Sequence, residues 1–109
     1  MEKHEERRRS PRFDLSWPIS LMSGDGEIAR GRTANISRTG AFFQGPTGAP
    51  LEAGMTVGVR IESGKPGDLS PILGRARVVR LEESRDGCGV ALHFSRELDA
   101  DPGAERPEA

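Results

Sequence analysis

Three runs in this chain place an apolar residue at every second position: Phe13, Leu15, Trp17, Ile19 and Leu21; Met55, Val57, Val59 and Ile61; and Cys88, Val90, Leu92 and Phe94. That is the period of a strand with one buried face, not of a helix. Between the runs lie turn-forming clusters, SGDG at 23–26, GPTGAP at 45–50 and SGKPGD at 63–68. With 14 glycines and eight prolines in 109 residues, the chain is interrupted too often for long helices. The pattern therefore predicts an all-β domain of short strands. Pro18 cannot donate to a ladder, so the first strand is expected to be an edge or to be bulged there.

Two further strands fill the interval after the first run. Residues 27–36 form the second, with Arg32, Ala34 and Ile36 on one face and Thr33, Asn35 and Ser37 on the other, a polar trio expected to point away from the core. Arg38-Thr39-Gly40 turns the chain, with Gly40 free to take positive φ, and residues 41–44 lead away as the third strand. Met55 to Ile61 gives the fourth. In the fifth, residues 72–81, the apolar phase switches between Ala76, Val78 and Val79, Leu81, which predicts a bulge. Cys88 to Phe94 gives the sixth, and Ser95 is expected to cap a short helical turn carrying Leu98. Six closely spaced strands without a helix to cover an open sheet favour closure into a small barrel.

At 11.8 kDa the chain has the size of one domain with one modest core. The expected division is a mobile arm at 1–12, a barrel at 13–98 and a disordered acidic tail at 99–109. Net charge is −1, but residues 7–12, RRRSPR, hold four arginines and no acid, while the last eleven residues hold four acids and one arginine. That cationic segment attracts phosphate, yet it is too short to suggest a duplex-binding face.

A single cysteine, Cys88, excludes an internal disulfide, and with His4 and His93 as the two imidazoles no Cys/His cluster for zinc can be assembled. A charged amino terminus and the lack of any long apolar stretch predict neither signal peptide nor membrane span, hence a cytoplasmic protein. On that reading the glycosylation pattern Asn35-Ile36-Ser37 is not used. No paired acid and base, activated nucleophile or phosphate loop opening a helix is evident, so no catalytic activity and no cofactor are expected.

Arg8 and Arg12 form the one R-x-x-x-R spacing among 14 arginines, directly before the first strand. Asn35, Ser37 and Gly40 follow as N-x-S-x-x-G. With these motifs the chain resembles the PilZ domain family, bacterial receptors for cyclic di-GMP; GRARVVR at 74–80 and GCGVALHF at 87–94 are similar to that family's later strands. The resemblance implies a six-stranded antiparallel barrel of split, Greek-key type, with the ligand clamped between the arginine arm and the barrel's outer face. It also implies ligand-binding roles for Arg7, Arg8, Arg12, Asn35, Ser37 and Gly40; with Arg7 present, family members can hold an intercalated pair of ligand molecules.

Residue chemistry is consistent with that implication. A guanidinium fork can grip a phosphate, read the O6/N7 edge of guanine or stack on it. Asn35 and Ser37 offer an amide and a hydroxyl, and Gly40 admits close backbone approach. Output then passes to an unidentified downstream protein or through self-association as a homodimer. Two other classes compete: an interaction module of the same fold that binds no nucleotide, and a small RNA-binding barrel. The RNA reading is weakened because Phe13, Trp17 and Phe94 fall in core phase, leaving Phe42 or Phe43 as a stacking platform.

Overall fold

The computed structural model describes residues 11–24, 26–47, 50–64, 67, 70–84, 87–98 and 102. Residues 1–10 of the expected arm and most of the acidic tail, 99–101 and 103–109, lie outside the described residues. Six strands are formed: β1 (Pro18–Ser23), β2 (Gly26–Ile36), β3 (Gly40–Gly45), β4 (Thr56–Ile61), β5 (Ile72–Ser84) and β6 (Gly87–Phe94). Every pairing is antiparallel, and the order β1-β2-β3-β6-β5-β4 closes through a β1–β4 ladder. Closure leaves no free sheet edge among the described residues. Among the described residues no helix is long and apolar enough to cross a membrane.

The alternating runs fill the barrel as their period predicts. Ile19 and Leu21 from β1, Val57, Val59 and Ile61 from β4, and Val90, Leu92 and Phe94 from β6 are all buried, around Phe43 and Ile36. Each such side chain contributes roughly 1.5–3 kcal/mol when fully buried. Pro18 is the first residue of β1, where its missing N–H costs no ladder bond, and the β1 irregularity falls later, between Leu21 and Met22. The predicted β5 bulge is present: Val78 pairs with Leu92 and Arg80 with Ala91, so Val79 is the extra residue and stands 48% exposed.

A second bulge corrects the reading of β2. Thr33 pairs with Phe43 and Asn35 with Phe42, so Ala34 is the additional residue and the alternation changes phase there. Thr33 therefore faces inward, 2% exposed, and does not share the outer face with Asn35. Its hydroxyl accepts a hydrogen bond from the Trp17 N–H at 2.9 Å and donates to the Leu15 carbonyl at 2.5 Å. The Thr33 N–H donates in turn to the Trp17 carbonyl. Thr33 thus stitches the segment before β1 to β2, and its polar group is satisfied although buried.

The helical turn expected after Ser95 is not formed among the described residues; Ser95 and Arg96 are bends. Their segment bonds to distant partners instead: the Ser95 N–H donates to the Arg75 carbonyl and the Leu98 N–H to the Arg38 carbonyl. Arg38 completes the attachment, donating from Nε to the Leu98 carbonyl (3.1 Å) and pairing with Glu97 (3.3 Å).

Candidate functional site

The residue that follows the arginine segment, Phe13, is fixed against the end of β2. Phe13 and Ile36 form an antiparallel bridge in which each N–H donates to the other's carbonyl, at 2.9 and 3.0 Å. By continuation of that register Arg12 faces Ser37 across the chain. Arg12 is exposed and has no partner among the described residues. Arg7 and Arg8 lie outside the described residues.

The β2 bulge decides where Asn35 points. Without Ala34 as the extra residue, the inward phase of Ala29 and Thr33 would carry on into residue 35. With it, Asn35 turns outward while Ile36 fills the core. Asn35 is half-buried, and its carboxamide makes no hydrogen bond among the described residues. From Asn35 one outward row runs across four strands: Asn35 pairs with Phe42, Phe42 with Ala91, and Ala91 with Arg80. The next outward row is Gly40, His93 and Arg77.

Ser37 is more enclosed than its sequence position implies, at 5% exposure. Its Oγ accepts from the Thr39 N–H at 3.1 Å and lies 3.3 Å from the Thr39 hydroxyl, while its own N–H donates to the Gly40 carbonyl at 2.8 Å. Ser37 therefore shapes the turn as well as lining the site. Gly40 does not adopt the positive φ expected of it. Glycine is needed there because a β-carbon would fall on the Leu92 carbonyl oxygen of β6.

These elements border one open recess of about 1210 Å³, into which Arg12, Asn35, Ser37 and Gly40 all face. Its apolar lining includes Phe42, Val79 and Ala91; Thr39, Arg80, Glu82, His93 and Glu97 add to the polar rim. The sequence did not reveal Arg80 and Glu82 as rim residues, because cross-strand register is not encoded in any single run. Arg38, a turn arginine, is bonded to Glu97 and Leu98 instead of lining the recess. A separate opening of about 780 Å³, bordered by Trp17, Val59, Ile72, Gly74, Phe94 and Leu98, contains none of the motif residues.

A recess of this size, in which the Arg12 guanidinium and the Asn35 carboxamide have no partner among the described residues, suits a flat anionic ligand. Among the described residues no group of His, Cys, Asp and Glu could hold a metal ion. The family profile of the PilZ domain matches residues 6–105. The chain belongs to the PilZ domain family. Its barrel is similar to that of the Bacillus subtilis inhibitor of motility (MotI/DgrA), at 21% identity and a TM-score of 0.71, covering 91% of this chain and 49% of that one. Escherichia coli YcgR in complex with c-di-GMP is similar at 18% identity and a TM-score of 0.62, over 81% of this chain and 38% of that one. The PilZ domain of YcgR with c-di-GMP matches at 19% identity and 0.56, over 85% and 79%. This PilZ domain thus spans about half the length of the inhibitor of motility. No curated protein matches it significantly.

Proposed function

We propose that this PilZ domain is a receptor for cyclic di-GMP, which it clamps between the arginine segment and the outer recess of the barrel. The observation that carries the reading is the convergence of Arg12, Asn35, Ser37 and Gly40 on one recess. In the proposed complex Arg12 bonds a phosphate or a guanine O6/N7 edge, the Asn35 carboxamide meets a polar edge of the ligand, and the turn at Ser37–Gly40 forms the close wall. Arg8 lies four residues before Arg12, at most ~14 Å of extended chain, so it reaches a different part of the same folded dinucleotide. Arg7 lies beside it and would meet a second, intercalated ligand molecule. The bound state is then read by a partner protein or a second copy of the chain, without catalysis.

Titration calorimetry tests this directly. Wild type should release heat with cyclic di-GMP, and Arg8→Ala together with Arg12→Ala should weaken binding by at least about a hundredfold, as loss of two charge-assisted contacts implies. Absence of heat from wild type, or an affinity unchanged in the double variant, would count against the reading.

A further inference from the structure

The recess does not end at its apolar lining. Phe42 points outward from β3 and the edge of its ring abuts Gly89 of β6: ring atoms Cζ and Cε2 stand 2.6 and 2.9 Å from where a β-carbon at residue 89 would be. The ring thus occupies the place of the side chain that Gly89 lacks, and Gly89 is buried beneath it. The cross-strand neighbours of Gly89 are Gln44 on β3 and Glu82 on β5. Beyond the ring lies a smaller recess of about 290 Å³ whose lining includes Phe42, Gln44, Glu82, Glu83 and Gly89. Phe42 and Glu82 border both recesses.

We propose that the Phe42 ring is a stacking platform for one guanine of the ligand and that the Glu82 carboxylate reads that guanine's edge, which makes the pair determinants of base specificity. The inference rests on the cyclic di-GMP reading above. A ring seated edge-on against a glycine, with a recess on either side of it, presents a π-face to the ligand site, and any base stacks on such a face. Stacking alone does not choose between bases. Selection needs an acceptor beside the ring, and Glu82 is one strand away from the residue the ring covers.

Guanine presents two neighbouring donors, N1–H and N2–H₂, which a carboxylate accepts in parallel. Adenine presents at the same edge an N1 lone pair, which repels a carboxylate oxygen. Glu82 is held by Arg80 through a 3.0 Å Nε–Oε2 contact, with both side chains more than half exposed (58% and 54%). Each carboxylate oxygen has two acceptor sites, so Glu82 can keep Arg80 and still accept from the base. An exposed pair of this kind contributes little to stability, which leaves the carboxylate available to the ligand.

The test is a titration of wild type, Phe42→Leu and Glu82→Gln with cyclic di-GMP and with cyclic di-AMP, accompanied by thermal unfolding of each variant. Leucine still covers Gly89, so Phe42→Leu should keep the melting temperature close to wild type while weakening cyclic di-GMP binding about tenfold. Glu82→Gln should lower the preference for cyclic di-GMP over cyclic di-AMP by about tenfold. If wild type binds cyclic di-GMP and both variants retain its affinity and preference within about twofold, this inference fails while the receptor reading stands. If wild type binds neither dinucleotide, both fail together.

Discussion

Asn35 and Arg80 stand at opposite ends of one outward row, joined through Phe42 and Ala91, and each lies next to a bulge residue of its own strand. Ala34 re-aims Asn35 and Val79 re-aims Arg80, so the polar rim over β3 and β6 is made by two one-residue insertions in otherwise regular ladders. Deletion of Ala34 should therefore force either Thr33 out of the core or Asn35 into it. The expected outcome is a domain that unfolds at markedly lower temperature in circular dichroism and fails to bind cyclic di-GMP.

Thr33→Val keeps the side-chain volume but removes the hydroxyl that joins Leu15 and Trp17. The buried Trp17 N–H and the partly buried Leu15 carbonyl lose their partner, a cost of about 1–3 kcal/mol. Chemical denaturation should show a lower midpoint with an unchanged slope.

Gly40→Ala and Gly74→Ala make an internal contrast. At residue 40 the new β-carbon meets the Leu92 carbonyl and strands β3 and β6 must separate, so a loss of about 1–3 kcal/mol is expected. At residue 74 nothing lies within 4 Å of the added carbon, and the φ is not positive. Alanine there should be neutral or raise stability by up to about 1 kcal/mol, through the unfolded chain. Parallel melting curves check both.

Binding of a dianionic ligand by exposed guanidinium groups is screened by salt. The dissociation constant for cyclic di-GMP should rise steadily between about 0.05 and 0.5 M sodium chloride. Arg12→Ala should flatten that dependence and leave the melting temperature unchanged, because Arg12 has no structural partner among the described residues. Fluorescence or calorimetric titrations across the salt series measure it.

Much of the barrel was legible because half-buried strands carry their own record: Ile19 and Leu21, Val57 to Ile61, and Val90 to Phe94 alternate and are buried as they alternate. The β5 bulge was legible too, since Val78 and Val79 break the apolar phase in plain view. The β2 bulge was not. In Arg32-Thr33-Ala34-Asn35-Ile36 the inward residue before the bulge is a threonine, so the run reads as regular alternation with its polar residues outside. Phe42 and Phe43 are adjacent, and their assignment to surface and core depends on register with β6. Gly40 was recognised as necessary for the wrong reason, because the carbonyl that excludes a side chain belongs to Leu92, far along the chain. Ser95 looked like a helix cap because the bonds that hold it, to Arg75 and near Arg38, are non-local.

The central claim is that the end of the arginine segment and the outer row of β2, β3 and β6 form a single ligand site. Amide chemical-shift mapping of the labelled protein during titration with cyclic di-GMP tests it most directly. The account predicts that the largest changes fall at Arg12, Asn35, Thr39, Gly40, Phe42 and His93, with Ser20, Arg60 and Leu73 on the β1–β4–β5 face unmoved. Changes concentrated on that other face, or none at saturating ligand, would contradict it.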